Sequence, residues 1–372
     1  MKIGILTLPF NNNYGGYLQA YALMTVLKNM GHVPTIILRR HNKTKHNILF
    51  YIKYSLKSIF KNIIGHESQP LIFNTEGLFF YRGKNMIPFM NKYMQPQTHF
   101  LYSTEELRSE CENRFDAYIV GSDQVWRPIY VPNIENFFLD FTKGWNVCRI
   151  AYAASFGTIT PEYTDVQKVR CGDLIKLFDA ISLREQNGLE VFKRNNWNFK
   201  EKPSTVLDPT MLLSHDYYSS LIKNKTSESK GKIFTYILDS SEGKDQIIKE
   251  VSHCKKCKTV SLYNSKQQIL PSIESWLASF RDSEFVITDS FHGTVFSIIY
   301  NTPFLVCINT ERGADRIISL LNLFNLEQRI VDKKEDVQQL INTTIDWSYV
   351  NNKLNILRDK SLSFLLDSLH HK

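Results

Sequence analysis

The sequence predicts an α/β protein built from two Rossmann-like halves. Three observations predict it: a length of 372 residues, short apolar runs that alternate with helical patterns, and a composition with 43% hydrophobic and 22% charged residues. Single cores stop growing efficiently beyond roughly 250–300 residues, so a chain of this length is expected to form two. Buried strands that alternate with helices are typical of doubly wound parallel sheets.

The first half repeats a strand–loop–helix rhythm. Helices are predicted at 17–30, which Gly31 closes, and at 165–178. The strands predicted for this half are 2–8, 34–38, 117–121, 149–153 and 180–183.

The same rhythm restarts after Pro209. An apolar helix is predicted at 293–300, and a final helix at about 353–369 is long enough to pack across both halves. The predicted strands are 232–238, 259–262, 284–288 and 303–308. The predicted domains are 1–212, 213–345 and a C-terminal helical segment at 346–372.

Excess positive charge is confined to the first hundred residues, which hold 12 Lys and Arg but only 2 Asp and Glu. Within the basic segment 41–93, an apolar stretch carries Lys53, Lys57 and Lys61 four residues apart, which on a helix form one stripe. The pattern fits a helix at an anionic membrane surface, or a core-packing helix whose lysines face solvent.

The remaining composition predicts a cytoplasmic protein. No apolar run approaches the ~20 residues that span a bilayer, and the N-terminus fits a first strand better than a signal peptide. Six scattered cysteines do not suggest a disulfide scaffold. Cys254 and Cys257 form one CxxC without a second ligand pair, so no metal site is expected.

Ligands of doubly wound sheets bind beyond the carboxyl ends of the strands, so the residues after each strand are the functional candidates. After the first strand the chain reads Asn13-Tyr14-Gly15-Gly16 and enters a helix. The glycines allow close backbone approach, and the helix N-terminus suits an anion or a sugar hydroxyl. The segment is not GxGxxG, so a nicotinamide site is not expected.

Two further strand ends carry chemically suited side chains. Residues 121–126 read Gly-Ser-Asp-Gln-Val-Trp, in which Asp123 can accept a proton and Trp126 can stack on a sugar ring. A turn capped by Asp123 is the alternative. Arg184 offers a planar fork to a carboxylate or phosphate, and a surface pair with Glu185 is the alternative.

The best-marked segment is 288–294, which reads Thr-Asp-Ser-Phe-His-Gly-Thr and opens into the apolar helix. Hydroxyls, an imidazole and a glycine meet at a helix N-terminus, where free N–H groups and the macrodipole favour an anion. His292 can donate a proton near neutral pH. We therefore expect an anionic substrate at this loop.

Taken together, these segments resemble the polysaccharide pyruvyl transferase family. The matching stretches run in order over about residues 4–330 and are 13–16 with Gln19, 120–126, 152–157, 182–185, 207–210 and 288–294. The resemblance implies a GT-B-like fold with the active site in the interdomain cleft. It also implies transfer of pyruvate from phosphoenolpyruvate to two hydroxyls of a sugar as a cyclic ketal, without a cofactor.

Roles follow for individual residues from this resemblance. His292 is expected to act as the general acid or a phosphate contact, and Asp123 as the base. The residues expected to bind phosphoenolpyruvate are Arg184, Ser290, His292, Gly293 and Thr294. The residues expected to bind the acceptor sugar are Asn13, Gly15, Gly16, Gln19, Gln124 and Trp126.

One position departs from the family pattern: other branches have an arginine where this chain has Ser290. Arg312 or Arg316 is a candidate to supply the missing charge. The resemblance also suggests an acceptor in surface polysaccharide synthesis, attached to polyprenyl pyrophosphate at the inner membrane face, which the basic segment would suit. Nucleic acid is not expected as a partner.

Two other functions remain open. A GT-B glycosyltransferase would hold the diphosphate of a nucleotide-sugar at the same anion site. A non-enzymatic module that binds nucleic acid or membrane through the basic segment would have no need of Asp123, Arg184 or His292. Three suited side chains at three strand ends favour an enzyme.

Overall fold

Part of the basic segment lies outside the described structure. The computed structural model describes residues 1–41, 80–160, 162–262, 269–309 and 313–370. The predicted stripe of Lys53, Lys57 and Lys61 and the candidate Arg312 fall outside these ranges.

Within the described residues the framework is two parallel sheets. The strands are β1 (Lys2–Leu6), β2 (Val33–Ile37), β3 (Ala117–Asp123), β4 (Cys148–Ala154), β5 (Ala180–Leu183), β6 (Ser204–Thr205), β7 (Ile233–Tyr236), β8 (Thr259–Ser261), β9 (Phe285–Thr288) and β10 (Phe304–Val306).

The first sheet has the order β2-β1-β3-β4-β5-β6, and all its neighbouring strands are parallel. β3 and β4 are buried at every position, as expected for parallel strands covered on both faces. Each predicted strand of this half is present, with ends within two residues of those predicted. β6 was not predicted, because two residues of intermediate exposure give no apolar run.

The second sheet has the order β10-β9-β7-β8 and is also parallel. Its four predicted strands are present with ends within two residues of those predicted. Both sheets contain a topological switch point, which is a pair of neighbouring strands from which the chain continues toward opposite edges of the sheet. The switch points lie between β1 and β3 and between β7 and β9, and ligands of such folds bind there.

Helices connect the strands and cover the sheets. In the described residues they are α1 (Tyr14–Asn29), α2 (Ile87–Tyr93), α3 (Thr104–Cys111), α4 (Asp165–Ile175), α5 (Gly188–Arg194), α6 (His215–Leu221), α7 (Glu242–Lys255), α8 (Ile273–Asp282), α9 (Phe291–Ile299), α10 (Ala314–Phe324), α11 (Val337–Asn342) and α12 (Trp347–His370).

Two helices begin earlier than predicted because a polar residue caps each of them. The side chain of Asn13 accepts a hydrogen bond from the backbone N–H of Gly15 at 3.1 Å and starts α1. The side chain of Ser290 accepts from the backbone N–H of Gly293 at 3.3 Å and starts α9. Such caps satisfy N–H groups that the first helical turn leaves open.

The long C-terminal helix α12 contacts both halves. The backbone N–H of Leu207 donates to Ser361 Oγ at 3.0 Å, and Arg358 Nε donates to the carbonyl of Met211 at 2.9 Å. At the other end, Asn325 Nδ2 donates to the hydroxyl of Tyr349 at 2.8 Å. The domain boundaries proposed from the sequence stay a prediction. No helix among the described residues has the length and apolar character needed to cross a membrane.

Candidate active site

The loops at the two switch points line a shared cavity of about 290 Å³, called here the front cavity. Residues 8–13 follow β1, Gln124 follows β3, Leu238 follows β7, and Asp289 and Ser290 follow β9. The cavity thus lies between the sheets at the carboxyl ends of their strands, where a ligand is expected.

A cluster of buried charges lies beside the front cavity. Arg184 Nη1 donates to Asp208 Oδ2 at 3.0 Å, and Arg184 Nη2 donates to Asp123 Oδ1 at 3.1 Å. These three side chains are each 4% exposed or less. Arg184 therefore bridges two carboxylates from different strand ends, and it is not the surface partner of Glu185.

Arg316 joins this cluster from α10. Its Nη1 lies 3.5 Å from Asp123 Oδ1, and its guanidinium carbon lies 5.6 Å from the ring centroid of Phe291. The guanidinium carbon of Arg184 lies 4.3 Å from the same centroid. Arg316 also lines the front cavity together with Ser290, so it supplies a cation to the same cavity.

His292 lines the front cavity and contacts both halves of the protein. Its Nε2 lies 3.7 Å from Asp208 Oδ2, which is close enough for electrostatic attraction but long for a hydrogen bond. Its other face packs on Gly15, because a Cβ placed on Gly15 would lie 2.0 Å from His292 Nδ1. Only glycine leaves room for the imidazole at this position.

The charged neighbours keep both carboxylates ionised. Burial alone would raise the pKa of Asp208, but His292 and Arg184 lower it to well below its usual range. Burial would also raise the pKa of Asp123, but the positive charges of Arg184, His292 and Arg316 together outweigh burial and lower it. For Arg316, burial and the nearby Arg184 lower the pKa to about 10.

The first turn of α9 is partly closed by its own side chains. The N–H of Gly293 is bonded to Ser290 Oγ, and the hydroxyl of Thr294 donates to the carbonyl of Ser290 at 3.0 Å. Thr294 is fully buried. Of the four loop residues predicted to bind the donor, Ser290 and His292 line the front cavity. A donor contact from Gly293 or Thr294 would require these internal hydrogen bonds to open.

Asp289 holds the second switch point together. Its Oδ1 accepts from the N–H of Leu238 at 2.7 Å, and its Oδ2 accepts from the N–H of Asp239 at 3.2 Å. Lys244 Nζ, from α7, donates to Oδ2 at 2.7 Å. Asp289 is 1% exposed, so these bonds fix the loop after β7 against the loop after β9.

The predicted acceptor residues divide into two groups. Asn13, Gly16 and Gln124 line the front cavity. Gln19 is fully buried, donates to Thr7 Oγ1 at 2.8 Å and accepts from the N–H of Ser122 at 3.0 Å. Gln19 therefore holds the first switch point together and has no access to the front cavity.

The position of Trp126 contradicts a second expectation, which was that its ring stacks on a sugar. It is fully buried, its Nε1 donates to the carbonyl of Phe137 at 2.9 Å, and its ring stacks on Phe138 with centroids 5.0 Å apart. The indole face that was expected to meet a sugar ring is thus covered by the core. Sequence could not reveal this, because the direction of the ring depends on aromatic partners elsewhere in the chain.

Two residues of the charge cluster were given no role from sequence. Asp208 follows β6, and the rule that placed Asp123 and Arg184 at strand ends would have found it had that short strand been recognised. The ring of Phe291 lies near both guanidinium groups, at 4.3 Å from that of Arg184 and 5.6 Å from that of Arg316, whereas the sequence indicated a role for its neighbour His292.

A second cavity of about 440 Å³, called here the rear cavity, lies on the other side of the cluster. Phe291 and Arg316 line both cavities and so separate them. Arg184 and Asp208 line only the rear cavity. The predicted donor residues are therefore divided, with His292 and Ser290 facing the front and Arg184 facing the rear.

The CxxC thiols lie away from both cavities. Cys254 Sγ donates to Glu250 Oε1 at 3.3 Å, and Cys257 Sγ donates to the carbonyl of Gly231 at 3.4 Å. Among the described residues no three His, Cys, Asp or Glu side chains are grouped to hold a metal ion.

Comparison with known proteins gives one family match. A family model described as polysaccharide pyruvyl transferase matches residues 13–311, which is most of the chain and includes β3 and the second switch point between β7 and β9. No curated protein matches the chain.

Solved structures show the fold. UDP-GlcNAc 2-epimerase from Neisseria meningitidis, bound to UDP-GlcNAc, is 10% identical with a TM-score of 0.51, over 99% of this chain and 100% of that chain. A UDP-glucosyltransferase from Polygonum tinctorium is also 10% identical with a TM-score of 0.50, over 100% and 99% of the two chains. The chain therefore has the predicted GT-B fold of two Rossmann-like units.

Proposed function

The chain belongs to the polysaccharide pyruvyl transferase family, and we propose that it transfers pyruvate from phosphoenolpyruvate to two hydroxyls of one sugar. The products are a cyclic ketal and inorganic phosphate. One observation carries the proposal: Arg184, Arg316 and His292 converge on Asp123 and Asp208 beside the cavity where the two switch points meet.

Recognition of the donor follows from charge. Phosphoenolpyruvate carries a phosphate and a carboxylate on the same carbon, so its site needs cations that are already ordered. Arg184 is held by two carboxylates, and Arg316 has a longer contact of 3.5 Å with Asp123. We assign Arg316 as the cation that turns to the donor, because it lines both cavities beside the charge cluster.

The reaction needs no change of oxidation state and no external reductant. The methylene carbon of the donor takes a proton, and one sugar oxygen bonds to the central carbon while its hydroxyl proton leaves. The bond from that carbon to the phosphate oxygen then breaks, and phosphate departs with the electron pair. The second sugar oxygen bonds to the same carbon, and its proton leaves with phosphate.

His292 is the proposed proton carrier. It lines the front cavity, and Asp208 at 3.7 Å can balance the charge of its protonated ring. In this mechanism His292 gives its proton to the methylene carbon and then takes the proton of the first hydroxyl. General acid–base groups of this kind contribute typically 10²–10⁴-fold to rate.

Asp123 has an electrostatic role in this proposal. Its predicted role as the base is weakened because its lowered pKa makes the carboxylate a poor proton acceptor. A permanent negative charge is suited to the oxocarbenium-like carbon that forms after protonation. Asp123 lines the front cavity, so its carboxylate can also accept a hydrogen bond from the sugar.

The acceptor is proposed to enter the front cavity. Asn13, Gly16 and Gln124 offer the amide and backbone groups that bind sugar hydroxyls. We propose a sugar of a growing surface polysaccharide on a polyprenyl pyrophosphate carrier, with the basic segment 41–93 near the anionic membrane. Vesicle binding that is unchanged after Lys53, Lys57 and Lys61 are all replaced by Gln would contradict the membrane contact.

The first experiment is a calorimetric titration with phosphoenolpyruvate, and in parallel with UDP, GDP and UDP-sugars. We expect saturable binding of phosphoenolpyruvate and none of the nucleotides. In His292→Ala we expect binding of phosphoenolpyruvate to weaken. A variant of the exposed Lys360, Lys360→Gln, is the control for general effects of substitution.

The two functions give opposite results. Binding of UDP or a UDP-sugar without phosphoenolpyruvate would overturn the proposal in favour of a nucleotide-sugar glycosyltransferase. Release of inorganic phosphate from phosphoenolpyruvate on addition of cell-derived glycans, together with a pyruvate ketal in the glycan product, would establish the reaction.

A further inference from the structure

The front and rear cavities differ in chemical character. Besides Arg316, which both share, the front cavity is lined by His292, by the carboxylates Asp123 and Asp289, and by amides and aromatic rings such as those of Asn13, Gln124 and Tyr130. The rear cavity is lined by three cationic side chains, Arg184, Arg316 and Lys353. A neutral sugar suits the first surface and a small anion suits the second.

The carboxylates of the rear cavity offset part of this charge, because two of them, Asp208 and Asp315, face three cations there. Both carboxylate oxygens of Asp208 accept hydrogen bonds within the protein. Oδ1 accepts from the N–H and the hydroxyl of Thr210, and Oδ2 accepts from Ser122 Oγ and Arg184. Asp315, in the first turn of α10, is the other carboxylate on this surface.

Two cationic groups of the rear cavity can form further hydrogen bonds or ion pairs beyond those they make with described residues. Arg184 Nε is buried and donates no hydrogen bond there, with Glu185 Oε2 at 3.8 Å as its nearest acidic contact. Lys353 is half-buried on α12 and forms no ion pair with another described residue. A buried polar donor without an acceptor costs free energy that a bound anion would recover.

We propose that the rear cavity is the donor chamber, in which Lys353 contacts the phosphate or carboxylate of phosphoenolpyruvate while the sugar enters through the front cavity. This inference rests on the proposed function. It adds a separate entrance for each substrate and a binding residue, Lys353, that lies beyond the family match at residues 13–311.

The partition explains how the substrates would meet. Phe291 and Arg316 line both cavities, and Asp208 of the rear cavity lies 3.7 Å from His292 of the front cavity. The reacting carbon of the donor would therefore lie at the partition, with its anionic groups behind it. Because the entrances differ, donor and acceptor are expected not to compete.

The test compares Lys353→Gln with Lys360→Gln, which removes an exposed lysine from the same helix. Calorimetry with phosphoenolpyruvate, and separately with inorganic phosphate, measures the anion site without an acceptor. We expect Lys353→Gln to weaken phosphoenolpyruvate binding by about tenfold or more, the scale of one charge-assisted hydrogen bond. Lys360→Gln should match the wild type, and Lys353→Arg should restore most of the affinity.

A second variant tests the chamber itself. Ser319 lines the rear cavity and is half-buried, so Ser319→Phe should fill part of it and abolish binding of phosphoenolpyruvate. Thermal unfolding of each variant verifies that it is folded. Affinity that is unchanged in both Lys353→Gln and Ser319→Phe would overturn the donor chamber and leave the proposed function standing. A wild-type protein that binds nucleotide but not phosphoenolpyruvate would overturn both.

Discussion

Gly15 and His292 are in direct contact: a Cβ on the glycine would lie 2.0 Å from Nδ1 of the imidazole. Gly15 belongs to the first turn of α1, and His292 to the first turn of α9. The contact brings together the loop after β1 and the loop after β9, so each switch point positions part of the other. The absence of a side chain at Gly15 is therefore a requirement of the site.

The first prediction concerns this contact. In Gly15→Ala the new methyl group must displace His292, and we expect turnover to fall at least tenfold, since small misplacements of reacting groups carry large costs. The measurement is phosphate release at saturating donor. Gly243→Ala is the matched control, because its Cβ meets no atom within 4 Å. Equal turnover in the two variants would contradict a positioning role for Gly15.

The second prediction concerns His292 itself. His292→Gln retains a polar side chain but cannot carry a proton, so we expect turnover to fall by at least ~100-fold. The measurement is phosphate release at saturating donor, and turnover within about tenfold of the wild type would move the proton carrier elsewhere.

The third prediction distinguishes the core position of Trp126 from its predicted contact with a sugar. Trp126→Phe keeps an aromatic ring on Phe138 but removes the hydrogen bond to the carbonyl of Phe137. We expect the free energy of unfolding to fall by about 1–3 kcal/mol. The KM for the acceptor should stay the same. A higher KM without a change in stability would indicate that Trp126 contacts the sugar.

Much of the fold could be predicted because its signals are local. Buried parallel strands appear as short apolar runs, and nine of the described strands were predicted with ends within two residues. The strand-end rule also placed Asp123 and Arg184 correctly near one another. The pattern fails where the signal is short, as for β6 with its two residues.

The rest of the site depends on contacts between distant parts of the chain. Asp208 joins Arg184 only because β6 pairs with β5, and Arg316 reaches Asp123 from the other half. Gln19 is of a residue type that can bind ligands, but its side chain is held in the interior by hydrogen bonds to Thr7 and Ser122. Side-chain direction is set by tertiary packing, which strand and helix patterns do not encode.

The fourth prediction concerns Asp289. In Asp289→Ala two partly buried backbone N–H groups lose their acceptor, and Lys244 keeps the carbonyl of Asp239 but loses its ion pair, which is expected to cost about 3 kcal/mol or more of unfolding free energy. Lys244→Ala should cost less, because the backbone N–H groups still neutralise part of the carboxylate charge. Chemical denaturation measures both. A larger loss in Lys244→Ala would mean that the ion pair dominates the backbone bonds.

The fifth prediction follows from the lowered pKa of Asp208. Its folded pKa lies below the unfolded value of ~3.9, so its contribution to stability is fully present above that value and is lost as pH falls toward the folded pKa. In that window the unfolded chain binds the extra proton, and stability must therefore rise with pH. Asp208→Asn cannot take up this proton.

The measurement is the free energy of unfolding against pH for wild type and Asp208→Asn. Below about pH 4 the wild-type slope should exceed that of the variant by as much as ~1.4 kcal/mol per pH unit, the value for one proton. At neutral pH the variant should be the less stable, because Arg184 loses a charged partner at 3.0 Å and His292 one at 3.7 Å. Parallel curves would mean that Asp208 has an ordinary pKa in the folded state, and that its pairing with Arg184 and His292 is weaker than the geometry implies.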